Sequence, residues 1–128
     1  MTGAVTEEYS LRVVRVFVTD WARAIRFYTE TLGIATTTRD DRAGWAELAT
    51  GQAKLALERV DPRDPEGLAH VGRFVGVSLA VADVEATYRR LSSRGVPFLE
   101  PPERQPWGGV LAHLRDPDGN VLTLLGSA

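Results

Sequence analysis

Cysteine is absent from the 128 residues. The chain therefore forms no disulfide, no thiolate metal site and no iron–sulfur cluster, and it has no cysteine nucleophile. An excess of either charge is also missing: fifteen basic residues face seventeen acidic ones, for a net charge of −2. That balance argues against a nucleic-acid binder, which carries a basic stripe. No apolar run approaches the roughly 18 residues of a membrane span. Met1–Ser10 holds Glu7 and Glu8 and lacks the basic-then-apolar order of a targeting signal, so a cytoplasmic protein without membrane contact is expected. Apolar residues at 44% and charged residues at 25% give the ordinary balance of a globular protein. A chain of this length buries roughly two-thirds of its unfolded surface, enough for one real core.

The chain is internally repetitive. Val16-Phe17-Val18-Thr19-Asp20 is matched by Leu79-Ala80-Val81-Ala82-Asp83, each an apolar run ending in a good helix N-cap. After the first cap come Trp21, Ala24, Ile25, Tyr28 and Leu32, then Gly33; after the second come Val84, Thr87, Tyr88 and Leu91, then Gly95. Both sets follow the spacing of an amphipathic helix of about three turns with a glycine stop. Strands are predicted at 34–39, 44–50 and 54–60, and again at 96–100, 109–115 and 121–125. Asp40 to Gly44, Thr50-Gly51-Gln52 and Asp116-Pro117-Asp118-Gly119-Asn120 read as turns. The polar, proline-bearing stretch Asp61 to Gly67 reads as a linker. Pro101, Pro102 and Pro106 mark a long loop with no counterpart in the first half, a place where sites are often found. The expected fold class is α+β: one domain over 1–128, made of βαβββ modules at about 10–60 and 71–126 joined by a linker at about 61–70. Neither short sheet covers its helix alone, so the modules should share a core.

This pair of βαβββ modules, with Asp-Pro-Asp-Gly-Asn near the end, resembles the vicinal oxygen chelate superfamily of glyoxalase I, extradiol dioxygenases, fosfomycin-modifying enzymes and bleomycin-resistance proteins. The resemblance runs from about Leu11 to Leu125. It is carried by VFVTDWARAIRFYTETLG (16–33), GVSLAVADVEATYRRLSSRG (76–95) and WGGVLAHLRDPDGNVLTLL (107–125). It implies a cupped mixed sheet with the helices outside and the ligand inside. It names no one chemistry, because the fold hosts many.

Enzymes of that superfamily hold a divalent ion with His, Glu or Gln on the first and last strand of each module. The resemblance places these ligands seven residues before each cap aspartate and three after the turn asparagine. Here those positions are Val13, Gly76 and Thr123, with Ala56 as the fourth by analogy. Oxygen or nitrogen donors are needed, and these four residues offer only a threonine hydroxyl. No metal and no other cofactor is therefore expected. The alternative is a displaced divalent site using Glu47, Glu58 and His113, which are also the candidate catalytic residues. Each has a plainer reading, Glu58 as a solvated strand-end carboxylate and His113 as a half-buried strand residue. His70 is expected at the surface.

Metal-free relatives of the bleomycin-resistance type sequester drugs between aromatic walls, often as homodimers. Trp45 and Trp107 offer flat faces for stacking and are candidate walls for a planar ligand, with core burial the favoured reading for Trp45 and edge-plugging the equal alternative for Trp107. Gly108 and Gly109 would permit close approach. Val13, Thr123 and His113 complete the candidate ligand site. Trp21 fits the apolar face of the first helix and is expected in the core. Arg39, Arg73, Arg104 and Arg115 could pair with ligand anions or simply be solvated. Three functions stay open: a small-molecule binder without metal, a lyase, isomerase or dioxygenase, and an interaction domain with a filled cup. A homodimer is expected for the first.

Overall fold

The structure is a computed structural model that describes residues 8–127. It contains two sheets of four strands with the same internal order. In the first, β1 (Val13–Val18) is at one edge, followed by β4 (Lys54–Arg59), β3 (Trp45–Leu48) and β2 (Thr36–Asp40). In the second, β5 (Phe74–Ala80) is followed by β8 (Val121–Ser127), β7 (Gly109–Arg115) and the two-residue β6 (Glu103–Arg104). The β1–β4 and β5–β8 pairs are parallel and the others antiparallel, so each sheet is mixed. The fold is α+β and repeats one βαβββ module.

Each crossover from edge strand to helix is set by a cap. Asp20 accepts from the Arg23 N–H and opens α1 (Trp21–Arg26), and Asp83 accepts from the Ala86 N–H and opens α3 (Val84–Ser93). This is the N-cap chemistry that satisfies orphan helix donors. The glycine stops also hold: Gly33 and Gly95 both adopt positive φ, at 81° and 86°. The first helix differs from the expected three regular turns. After Arg26 it winds as a π-helix over Phe27–Thr31, closed by Leu32 N–H donating to the Phe27 carbonyl at 2.9 Å.

Other boundaries differ from the sequence expectations too, β2 and β3 being shorter than 34–39 and 44–50. The linker contains a one-turn helix, α2 (Pro65–Leu68), because Asp64 caps it and Pro65 presets its first turn. The strand expected at 96–100 forms only an isolated bridge between Phe98 and Leu114, and the ladder resumes at Glu103. Proline at 97, 101 and 102 removes the donors a longer strand would need. Strand β8 runs on to Ser127 because β7 pairs with it through Gly109↔Ser127.

One core serves both modules. Val16, Val18, Leu55, Leu57, Ala46 and Leu48 of the first sheet cluster with Leu122, Leu124, Ala112 and Leu114 of the second. Ile25 and Tyr28 of the first helix and Val84 and Leu91 of α3 belong to the same cluster, so the helices lie against one face of the sheets and leave the other open. Trp21 is partly buried against this core, as its spacing predicts, and donates its indole N–H to Asp41 at 3.0 Å.

A buried polar knot joins the modules at the Asp116–Asn120 turn. Asn120 donates from Nδ2 to the Phe17 carbonyl and to Asp116 Oδ2, both at 2.9 Å, and its Oδ1 accepts from the Gly72 N–H at 2.8 Å. Tyr28 donates to Asp116 Oδ2 at 2.7 Å, and Thr19 donates to Asp118 through both its N–H and its hydroxyl. Burial, followed by the neighbouring Asp116 carboxylate, pushes the Tyr28 phenol well above its ordinary value.

Candidate functional site

Alternation along each strand decides which side chains leave the core. In β5, Val75, Val77 and Leu79 pack inward, so Phe74, Gly76, Ser78 and Ala80 lie on the open face. Ser78 is in register with Thr123, and Thr123 with His113. In β1, Val14, Val16 and Val18 point inward, leaving Val13, Arg15 and Phe17 on the open face. Arg15 registers with Ala56, Phe17 with Glu58, Glu58 with Trp45, and Ala56 with Glu47. All four positions at which the superfamily's ligands were expected, Val13, Ala56, Gly76 and Thr123, thus point away from the shared core, although Ala56 and Thr123 are themselves buried.

Their chemistry does not fit a divalent ion. Val13, Ala56 and Gly76 have no donor atom. The Thr123 hydroxyl is buried and hydrogen-bonded to His113 Nδ1 at 2.8 Å. Gly76 has φ 80°, a backbone state that side-chain-bearing residues rarely adopt, and the β5–β8 register shifts between Phe74 and Ser78. The strand is thus bulged where the superfamily places a metal-binding side chain.

The substitute set is divided. Glu47 and Glu58 are on the first sheet and His113 on the second. Among the described residues, no three His, Cys, Asp or Glu are grouped so as to hold an ion. Each substitute also has an occupation of its own. Glu58 pairs with Arg15 at 3.1 Å, Glu47 accepts from the Trp45 indole N–H at 3.0 Å, and the His113 ring meets Phe74 edge-on with centroids 5.5 Å apart.

Trp45 is half-buried and is not part of the core, which corrects the core reading. Its register with Glu58 puts it on the open face, beside Glu47. Trp107 is 65% exposed and its ring lies over Gly109, where an added Cβ would stand 1.9 Å from Trp107 Cζ3. Gly108, at φ 97°, makes the turn that folds the indole back onto the strand. His70 is exposed, as expected, but its ring packs on Phe17 with centroids 5.2 Å apart.

Sequence reasoning missed Phe74, Phe17 and Arg15. Phe74 is 61% exposed on the open face, and Arg15 lies over the Phe17 ring at 5.3 Å. The signal was available: Phe74 is two residues before Gly76, and Arg15 and Phe17 are two and four after Val13. A period-2 count from the expected ligand positions reaches all three. Of the four arginines offered as anion partners, Arg39 is engaged by Asp41 at 2.7 Å.

Comparison with known proteins gives the family. The profile of the Glyoxalase/Bleomycin resistance protein/Dioxygenase superfamily matches residues 10–124. The chain belongs to that superfamily. A bleomycin resistance protein of Klebsiella pneumoniae is 33% identical over 113 residues, covering 83% of both chains. Among solved structures, one similar to this chain is TnmS3, described as an antibiotic binding protein from Streptomyces sp. CB03234. It matches with TM-score 0.76 and 30% identity over 97% of this chain and 100% of its own. A superfamily member from Sphaerobacter thermophilus matches with TM-score 0.78 and 29% identity over 93% and 98%.

Proposed function

We propose that this protein binds a planar organic small molecule on its open sheet faces without a metal, as a sequestering or carrying protein of the bleomycin-resistance kind. The observation that carries this reading is the exposed aromatic wall of the second module. Phe74 and Trp107, 61% and 65% exposed, stand on a sheet whose expected metal positions are Gly76 and Thr123. An exposed tryptophan held in place by Gly108 and Gly109 is a surface kept for contact. The similarity to an antibiotic binding protein and to a bleomycin resistance protein points the same way. Trp45, Phe17 and the residues around Val13 and Ala56 would supply the opposing wall. Because those walls belong to different sheets, a homodimer that brings the open faces of two copies together is part of the proposal, as is a cytoplasmic location.

Burying an aromatic side chain against a ligand is worth about 2 kcal/mol, or roughly 30-fold in Kd. Tryptophan fluorescence titration with a panel of planar antibiotics tests the proposal. Trp107→Ala should weaken the tightest ligand by about that factor while leaving the melting temperature within a few degrees. Equal binding by wild type and variant across the panel would refute it. A stoichiometric divalent ion that survives dialysis after incubation with zinc, nickel, manganese or iron(II) would overturn the metal-free part. Light scattering that gives only monomer at ligand-binding concentrations would overturn the dimer.

A further inference from the structure

Away from the open-face aromatics, a groove of about 500 Å³ runs between the first helix and the end of β7. Arg23 and Arg26 of α1, Arg94 at the end of α3 and Arg115 at the end of β7 all line it. None of the four is ion-paired among the described residues, where the pairs are Arg15–Glu58, Arg39–Asp41, Arg63–Asp61 and Arg89–Glu85. Among the described residues, Arg94 alone of the four has a hydrogen-bond partner for its guanidinium, donating from Nη1 to the Thr31 carbonyl at 2.7 Å. The one carboxylate lining the groove, Asp116, is already committed. Its Oδ1 accepts from the Asp118 and Asn120 N–H groups, and its Oδ2 from Tyr28 and Asn120.

Four uncompensated guanidinium groups in one groove are conspicuous in a chain whose net charge is −2. All four are exposed and carry the same sign, so an anion bound in the groove is attracted by each of them. The arginines reach the groove two from each module. Arg23 and Arg26 are three residues apart on one helix face, and Arg94 and Arg115 belong to the other module. The planar fork of arginine matches the oxygens of phosphate, one group per pair. Phe27 and Thr31 of the π-wound segment line it beside Arg23 and Arg26, and π-winding recurs at functional sites.

We propose that this groove is a binding site for a small molecule bearing a diphosphate, one phosphoryl group held by each arginine pair, distinct from the organic-ligand site on the open faces. Isothermal titration calorimetry of the full chain at low salt tests it, with inorganic pyrophosphate, ADP and citrate as probes. The expected result is one pyrophosphate per chain, with affinity falling steeply as salt rises. Arg26→Gln/Arg115→Gln should weaken it at least 10-fold. Arg12→Gln/Arg104→Gln, which removes the same charge from exposed positions outside the groove, should leave it within 2-fold. Equal affinity for pyrophosphate and ADP assigns the site to the diphosphate alone. A 10-fold preference for ADP assigns it to a nucleoside diphosphate. No binding of either, equal weakening by both double variants, or citrate bound as tightly as pyrophosphate would overturn the proposal.

Discussion

Replacing Asn120 with alanine probes the joint between the modules. The side chain is 1% exposed and makes three short hydrogen bonds: to the Gly72 N–H, to the Phe17 carbonyl and to the Asp116 carboxylate. Each of the two backbone bonds is worth about 1 kcal/mol net, and the bond to a charged group about 2. Asn120→Ala should therefore cost about 4 kcal/mol, a large share of the 5–15 kcal/mol that typically stabilises a domain. Unfolding entropy for 128 residues is about 0.27 kcal/mol per kelvin, so the melting temperature should drop by roughly 15 °C. Scanning calorimetry, with urea unfolding as a second probe, measures this. Asn120→Asp is the informative companion. It keeps the acceptor for Gly72 and nearly the same volume, but sets a second carboxylate against Asp116, and should destabilise at least as much. A loss of under about 4 °C for the alanine variant would refute the reasoning, as would an aspartate variant as stable as wild type.

The two ends of the carboxylate range should be visible in one titration. Burial holds the Asp116 carboxyl above its usual range, so its contribution to stability is largest at low pH and is lost as pH rises through its raised pKa. Asp61, drawn down to about 2 chiefly by its hydrogen bond from Arg63, has the opposite sign: its contribution is present above about 4 and is lost as pH falls toward 2. Carboxyl-carbon NMR that finds Asp116 titrating below Asp61 would contradict both assignments. Gly109→Ala should expel the Trp107 ring, changing tryptophan emission and weakening ligand binding about as much as Trp107→Ala; unchanged emission would show that the ring does not rest there. Glu58→Gln breaks a part-exposed pair with Arg15 and should cost under about 1 kcal/mol, so a melting loss beyond about 4 °C would indicate a larger role.

What could be read from the sequence was whatever local chemistry decides. The caps at Asp20 and Asp83, the stops at Gly33 and Gly95 and the β7 boundaries Gly109–Arg115 all follow from neighbouring residues, and all hold. The π-wound turn does not follow from propensity. Its Tyr28 bonds to Asp116, 88 positions away, a partner that no local rule supplies. The Asp116–Asn120 turn was recognised as structural, but its partners Phe17, Thr19 and Gly72 are remote in sequence. Val13, Ala56, Gly76 and Thr123 came from counting along a repeat, and they fall on β1, β4, β5 and β8, the first and last strands of the two modules. Trp45 was harder to place, because one strand of alternating Trp, Ala, Glu and Leu does not say which side meets the core. Only its pairing with Glu58 does.

The Asn120 joint also constrains how the chain can be made. Its partner carbonyl, Phe17, precedes it by 103 residues. At a synthesis rate of about 5–20 residues per second, Phe17 waits roughly 5–20 s on the ribosome before Asn120 exists. During that interval β1 and α1 lack the side chain that ties them to the linker. The first module's strands are synthesised before Leu122 and Leu124, which complete the core they share. The module's apolar face stays available to chaperones, or to the same segment of another nascent chain, until the repeat behind it arrives.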